Sequence, residues 1–303
     1  MRSKVWVVVL LAAAVVALAA VTAAQALLSA TPVVKRKGWQ YLPAATAGGT
    51  YVAYTNAPRH GGPYVLYVRP NGGSRVAVNR KGFAYDGGFD GNTLIYQLAF
   101  FRRGVSDIHL YDAATQVKSL PAGVNTRAWE FSPTMSGNRI LFGRQSPRHE
   151  KVILRDENLS TSRVVAHMRF RNHVALQPGQ VNGDWATWGH YSFVTKLGNV
   201  FRYQISTQTT ERIARPANRA QYASSIAPNG ALFYVRSRRG CGRHVVIRES
   251  VPGEADVALH RLPRGYDVYK TYVVDEGAGE FSVYFDQASC STNRSDIYKL
   301  TVP

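Results

Sequence analysis

Clustered arginines are the residues whose type and spacing favour a definite chemistry in this chain. The candidate ligand-binding residues are Arg102, Arg103, Arg144, Arg148, Arg236, Arg238, Arg239 and Arg243. A guanidinium group presents planar N–H donors that match a phosphate or a carboxylate with two parallel hydrogen bonds. The chain has 37 Lys and Arg against 19 Asp and Glu, a formal charge of +18. This excess predicts an anionic partner, and the alternative is that dispersed arginines only solvate the surface.

Catalytic signatures are scarce. The sequence has no GxSxG, HExxH, P-loop, GxGxxG or EF-hand pattern. Glu130 is the one acid centred in a predicted innermost strand, where it either acts as a catalytic acid or pairs with an arginine such as Arg127. His60, His149 and His190 fall in predicted loops, where histidines are usually solvated. We therefore expect no catalytic residue, no metal and no cofactor.

A repeating pattern supplies the elements that must position these residues. Runs of β-branched and aromatic residues end at Gly-centred turns, and Gly91, Gly137, Gly183 and Gly230 are 46, 46 and 47 residues apart. Several short strands per unit at this period are typical of a β-propeller. Division of the chain into four-stranded units predicts an all-β, six-bladed propeller. The last unit lacks a fourth strand, so we expect 33–37 to supply it and to close the ring.

Strand order sorts the charges between the two ends of such a ring. The loops between second and third strands lie at the same end as the connections between units. The eight arginines lie at that end, together with connection residues such as Arg219, Arg261 and Arg264. Acids such as Asp90, Asp112 and Asp184 fall in the turns at the opposite end. The sequence therefore predicts one basic face.

Two copies of the repeat resemble a known family. The segments Ser132-Pro133 to Phe142 and Ala227-Pro228-Asn229-Gly230-Ala231-Leu232-Phe233-Tyr234 are similar to the repeat of TolB-type propellers, although Ser136 and Asn229 replace the usual Asp before Gly. Tyr111-Asp112-Ala113-Ala114-Thr115 also resembles a turn of that family. The resemblance implies a six-bladed exported scaffold that binds other molecules. It implies no reaction, because such repeats serve many functions.

The first residues have the composition of a targeting segment. Arg2 and Lys4 precede an uncharged, Ala-rich stretch, and Ala24-Gln25-Ala26 provides small residues at the spacing that signal peptidase cleaves. We expect 1–26 to be a signal peptide, or alternatively an uncleaved anchor, and 27–303 to be a single propeller domain. Either interpretation places the domain outside the cytoplasm.

The two cysteines agree with export. Cys241 and Cys290 occupy equivalent loops of neighbouring units, which lie side by side in a propeller. We expect a disulfide, which an oxidising compartment preserves, and two free thiols are the alternative.

These observations predict a secreted or extracytoplasmic, monomeric, non-enzymatic binding protein. Its basic face is expected to recognise an anionic cell-envelope component or an acidic protein, and the first segment allows a membrane tether. Nucleic acid is not expected, since no recognition motif is present. The alternative function is that of a propeller hydrolase or lyase acting on a polyanionic glycan.

Overall fold

Antiparallel β-strands make up almost all of the ordered secondary structure. A computed structural model describes residues 27–36, 38–57, 64–169, 173–292 and 294–303. Within these ranges the regular structure consists of β-strands and two 3-10 turns, Ala47–Gly49 and Phe101–Arg103. No helix in the described ranges has the length and apolarity needed to cross a bilayer. The expected signal segment, 1–26, lies outside them.

The strands follow one another in groups of four. The first strands of the groups are β2 (Trp39–Ala45), β6 (Phe83–Asp90), β10 (Trp129–Ser136), β14 (Val174–Asn182), β18 (Arg219–Ile226) and β23 (Thr271–Gly277). The second strands are β3 (Tyr51–Ala57), β7 (Thr93–Phe100), β11 (Arg139–Gln145), β15 (Trp185–Ser192), β19 (Leu232–Arg238) and β24 (Glu280–Ser289). The third strands are β4 (Val65–Pro70), β8 (Val105–Asp112), β12 (His149–Asp156), β16 (Leu197–Gln204), β20 (Val246–Ser250) and β25 (Ser295–Val302). The fourth strands are β5 (Val76–Ala77), β9 (Lys118–Ser119), β13 (Thr161–Arg169), β17 (Thr209–Arg212) and β21 (Val257–Arg261). This succession agrees with the four-stranded units predicted from the sequence.

The last group takes its outer partner from the start of the described chain. Strand β1 (Ala30–Val34) pairs antiparallel with β25, with Ala30 opposite Leu300 and Val34 opposite Ile297. The strand therefore begins three residues earlier than predicted and ends before Lys35. A short strand, β22 (Tyr266–Asp267), pairs antiparallel with the C-terminal end of β24, where Tyr266 lies opposite Ser289.

Glycines with a left-handed backbone form the turns between first and second strands. Gly91, Gly137 and Gly183 have φ angles of 53°, 56° and 55°. Each is the first residue of a two-residue turn, and only glycine adopts this conformation without steric cost. Because each of these groups needs a glycine at this turn, glycine recurs once per group in the sequence.

First strands meet in sequence order near the centre of the molecule. Each contacts the first strand of the next group, and β23 contacts both β18 and β2. The approach is close: a Cβ added to Gly87 of β6 would lie 2.0 Å from the carbonyl oxygen of Pro133 in β10. Only a glycine fits at such a contact.

The hydrophobic core lies between neighbouring groups. Leu141 and Leu154 of the third group, for example, pack with Leu176 and Trp188 of the fourth. The buried Arg202 guanidinium of β16 reaches into the fifth group, where Nη1 donates to the carbonyl oxygens of Gly230 and Ser250, each at 2.9 Å. Glu211 neutralises this cation. Adjacent groups are thus joined by apolar packing and by a bridging cation.

Candidate functional site

The eight candidate arginines fall into three structural situations. Arg102 and Arg103 lie in the 3-10 turn after β7, and Arg148 precedes β12. All three are exposed, and none has an ion pair within the described part of the chain. The structure therefore leaves them available at the surface, on the second and third groups.

Arg144 is engaged in a structural ion pair. Its Nε lies 2.8 Å from Oε1 of Glu130, and its Nη2 donates to the carbonyl oxygen of Val124. The Glu130 side chain is fully buried and also accepts a hydrogen bond from the Thr126 hydroxyl. The partner of Glu130 is thus Arg144 rather than Arg127. Glu130 does not line the central cavity described below.

Arg236 is also engaged. Its Nη2 lies 2.7 Å from the Asp256 carboxylate, which binds Arg248 Nε at 2.6 Å and accepts a hydrogen bond from Tyr234. Burial of Asp256 opposes its ionisation, yet the hydrogen bonds from Arg248 and Tyr234 and the two cationic charges hold its pKa below the ordinary value. This cluster stabilises the fifth group from within.

The remaining three candidates converge in one cleft. Arg238, Arg239 and Arg243 line a cavity of about 1060 Å³ at the end of the fifth group. The other cations of the lining are Arg219, Arg261 and Arg264. We call these six arginines and the space that they enclose the basic cleft. The lining contains no acidic residue, and the six side chains have no ion pair within the described ranges.

Strand register brings these arginines together. Arg219 at the start of β18 lies directly opposite Arg238 at the end of β19, and Arg261 at the end of β21 lies opposite Val246 of β20. Like charges opposite each other on neighbouring strands are destabilising. The fold therefore holds guanidinium groups together at a cost that a bound anion would offset.

Close backbone packing fixes the loops of the basic cleft. A Cβ on Gly242 would lie 2.6 Å from the Cα of Gly265, and the Gly265 N–H donates to the Gly242 carbonyl. The expected disulfide is present, with Cys241 and Cys290 Cα atoms 5.9 Å apart. It ties this loop to the sixth group. Backbone packing and the disulfide thus hold the loop that carries Arg239 and Arg243 in place.

The exposed His244 lies among the arginines of the basic cleft. The pKa of His244 is lowered, first by the charge of Arg238 and then by its limited burial and by the charges of Arg219, Arg261 and Arg264. Four guanidinium groups therefore act on a single exposed imidazole. The arginines of the cleft are therefore close enough to act together on one group.

A second concavity lies where the first strands meet. This central cavity, of about 500 Å³, is lined by the aromatic side chains of Tyr85, Phe101, Trp129, Phe131 and Tyr269. Its charged lining residues are Glu150 and Lys270. Burial raises the pKa of Glu150, although the Leu176 N–H donates a 2.8 Å hydrogen bond to its carboxylate.

Bulges in the first strands shape the floor of the central cavity. Leu42, Ser132 and Ala223 line it with φ angles of 55°, 47° and 51°. Each falls at a register shift between a first and a second strand. Such backbone is costly for residues with a Cβ, and it is often found at functional sites. No sequence motif indicated these bulges.

The candidate histidines are not brought together as a ligand set within the described ranges. His60 lies outside them, His149 is exposed, and Nε2 of His190 lies 2.9 Å from the Asn199 amide nitrogen. The described His, Cys, Asp and Glu side chains that approach closely enough to share an ion are Cys241, Asp267 and Cys290. The two sulfurs of this group are joined in the disulfide.

The opposite end of the molecule carries acidic side chains. Asp90 and Asp275 line a smaller cavity there, of about 350 Å³. Asp112 at this end accepts hydrogen bonds from the N–H groups of Ala114 and Thr115, and these bonds hold its pKa below the ordinary value. These acids shape the turns of the fold.

Comparisons with known proteins identify the fold. No protein-family model matches the chain, and no curated protein matches it. A structure described as putative TolB from Agrobacterium tumefaciens superposes with a TM-score of 0.56 at 15% identity, over 88% of this chain and 91% of the other. An oligogalacturonate lyase in complex with manganese gives 0.53 at 10% identity, over 91% and 97%. A protein of unknown function from Dyadobacter fermentans gives 0.57 at 10% identity, over 90% and 98%.

These similarities assign the chain to a class. It has an all-β propeller fold of the TolB type, which confirms the resemblance seen in the repeats. Because the structural relatives include both a TolB protein and a lyase, the fold favours neither binding nor catalysis.

Proposed function

We propose that this protein is an exported, non-enzymatic six-bladed propeller that binds an anionic ligand at the basic cleft. The ligand is an anionic component of the cell envelope or an acidic protein surface. The observation that carries the proposal is the basic cleft itself: six arginines around one cavity, without an acid in its lining.

The proposed closed ring is supported by two contacts. Strand β1 pairs with β25, so the sixth group obtains its fourth strand from the beginning of the domain. Strand β23 contacts β2, which joins the last group to the first. A ring closed in this way would hold the cleft and the central cavity on one face.

The proposed location is supported by the disulfide and by the composition of 1–26. Disulfides persist in oxidising compartments and are rare in the cytosol. The Cys241–Cys290 bridge agrees with this. The uncharged segment after Lys4 provides either a cleaved signal or a membrane tether.

An anion fits the cleft better than a neutral ligand. Without a partner, six close guanidinium groups repel one another. A polyanion would neutralise several of them at once, and each guanidinium can form two parallel hydrogen bonds with a phosphate or a carboxylate. Such binding would be fast and would weaken with salt.

A second candidate function rests on the central cavity. Glu150, whose pKa is raised by burial, and Lys270 both line it among aromatic side chains. A carboxyl group with a raised pKa, in a cavity that is also lined by a cation, is a starting point for acid–base chemistry on a polyanionic glycan. In that case, Glu150→Gln would abolish cleavage of the glycan and leave its binding intact.

A pair of charge-reversed variants tests the binding proposal. Arg238→Glu with Arg261→Glu should lower the affinity for inorganic polyphosphate and for alginate by at least about tenfold at low salt. Arg102→Glu with Arg103→Glu is the matched control, because it makes the same change of net charge at exposed residues outside the cleft. Titration calorimetry at two salt concentrations measures the affinities of both double variants for the two polymers.

The outcomes separate the possibilities. An equal loss in both double variants would mean that the whole basic face binds, rather than the cleft. Full affinity in the Arg238 and Arg261 variant would refute the proposal. Thermal unfolding of each variant verifies that the fold is retained.

A further inference from the structure

An aromatic pocket of about 390 Å³ adjoins the basic cleft. Its walls come from the end of β15 and the turn after it, from the loop that follows β19, and from the segment after β22. The aromatic residues of the lining are Tyr191, Phe193, Tyr222 and Tyr269. We call this space the aromatic pocket.

The aromatic side chains are held in place and yet accessible. Tyr191 makes edge contacts with Phe193 and Tyr222, with ring centroids 5.5 and 6.0 Å apart. Tyr269 stacks on Trp39 at 6.1 Å. Even so, Phe193 and Tyr269 are 48% and 50% exposed. Large apolar rings that stay accessible in a concave site are typical of binding surfaces.

Shared lining residues place the aromatic pocket next to two other cavities. Arg238 lines the aromatic pocket and the basic cleft. Gln177 and Tyr269 line the aromatic pocket and the central cavity. The three cavities are therefore neighbours, with the aromatic pocket next to both of the others, and we call this series of cavities the track. A track of this kind fits a chain of linked units better than a single small anion.

The polar groups of the aromatic pocket differ from those of the basic cleft. Asp267 lines the pocket and accepts hydrogen bonds from the Tyr222 hydroxyl and from the Val268 N–H at 2.9 Å. Burial raises the pKa of this carboxyl, against the effect of these bonds. A carboxyl oxygen accepts hydrogen bonds from hydroxyl groups and repels anions. Ser237 and Gln177 add further partners for hydroxyl groups.

This combination selects one class of ligand. The aromatic faces can pack against the apolar face of a sugar ring, and the Asp267 carboxyl and the Gln177 amide can form hydrogen bonds with its hydroxyl groups. The adjoining arginines suit acidic substituents. The lining of the aromatic pocket also contains the cations Lys196 and Arg238, so charge alone does not exclude a polyphosphate. A polyphosphate has no ring to place on the aromatic faces, however, and would engage only the cations.

We propose that the aromatic pocket binds a sugar ring of an anionic polysaccharide whose acidic groups lie in the basic cleft. This inference rests on the proposed function of the cleft and identifies the class of its ligand. Phe193 and Tyr269 provide the surfaces on which the ring stacks, and Asp267 accepts hydrogen bonds from its hydroxyls.

Two polymers and one double variant test the inference. Alginate carries a carboxylate on each sugar ring, whereas inorganic polyphosphate has charge without rings. In Phe193→Ala with Tyr269→Ala, the affinity for alginate should fall about tenfold, as expected for the loss of aromatic anchors. The affinity for polyphosphate should change by less than about twofold, because the arginines remain. Val194→Ala is the matched control: Val194 is 65% exposed next to Phe193 and does not line the pocket.

Each result decides a different point. Unchanged affinity for alginate in the double variant would overturn the inference. An equal loss for both polymers would also overturn it, since the rings would then act only through the shape of the cleft. If the wild-type protein binds neither polymer, the proposed function of the cleft fails as well.

Discussion

Replacement of Asp286 by asparagine should change how stability depends on pH. The Asp286 carboxyl is fully buried, and its Oδ1 accepts hydrogen bonds from the N–H groups of Tyr269 and Lys270 at 2.8 and 2.9 Å. Its Oδ2 has no hydrogen-bond partner among the described residues. Burial raises the pKa of Asp286 from 3.8 to about 7, although the backbone hydrogen bonds oppose this change.

The sign and size of the effect follow from linkage. Between about pH 4 and pH 7 the folded state keeps a proton on Asp286 that the unfolded state has lost. Stability therefore falls as pH rises through this range and becomes level above the folded pKa. The whole effect is about 4 kcal/mol, of which more than half lies between pH 5 and pH 8. The neighbouring Tyr41 and Tyr269 have raised pKa values and stay neutral throughout.

Asparagine keeps the hydrogen bonds and removes the titration. Its amide oxygen can accept from both N–H groups, and it has no proton to lose in this range. The decrease in the free energy of unfolding from pH 5 to pH 8 should therefore be about 2–3 kcal/mol smaller in Asp286→Asn than in the wild type. Urea unfolding at the two pH values measures this difference. The other buried carboxyls are present in both proteins, so their contributions to the pH dependence cancel when the two are compared.

Asp112→Asn provides the control for this experiment. Asp112 is partly exposed, and backbone hydrogen bonds hold the pKa of its carboxyl below the ordinary value, so it stays ionised from pH 5 to pH 8. This variant should keep the wild-type pH dependence. If Asp286→Asn shows the same slope as the wild type, the buried carboxyl does not titrate in this range and the reasoning is wrong.

Two further predictions concern the links between groups of strands. Replacement of Cys241 and Cys290 by serine should lower the free energy of unfolding by about 4 kcal/mol, because the bridge spans 49 residues. Reductant should destabilise the wild type but not this variant, and equal sensitivity of both would contradict the prediction. Arg202→Ala should cost about 3–5 kcal/mol, because two buried carbonyl oxygens of the fifth group lose their donor. Arg148→Ala is the exposed control, and an equal small loss in both would show that the bridge contributes little.

Most of the strands could be predicted from the sequence because their signals are local. Runs of β-branched and aromatic residues mark the strands, and glycines such as Gly137 mark the turns that require a left-handed backbone. The strand expected at 33–37 lies instead at Ala30–Val34. Its position depends on pairing with β25 at the other end of the chain, which a local pattern does not record.

The arginines were harder to assign, because their roles depend on distant partners. Arg236 and Arg238 are two residues apart at the end of the same strand. Arg236 lies beside Asp256, whereas Arg238 lies opposite Arg219. The first is held in an ion pair and the second faces a like charge. The different roles of the two arginines follow from the register among β18, β19, β20 and β21. This register includes bulges that no residue pattern indicated.

The distribution of acids separates the structural arginines from those that can bind a ligand. Glu130 pairs with Arg144, and Asp256 pairs with both Arg236 and Arg248. Acids are thus placed beside arginines whose side chains are largely covered by the fold. The basic cleft has no such acid, although its fixed loops hold six cations close together. Like charges held close together cost stability. An arrangement that pairs the partly buried arginines with acids and leaves those of the cleft unpaired therefore supports the proposal of an anionic ligand.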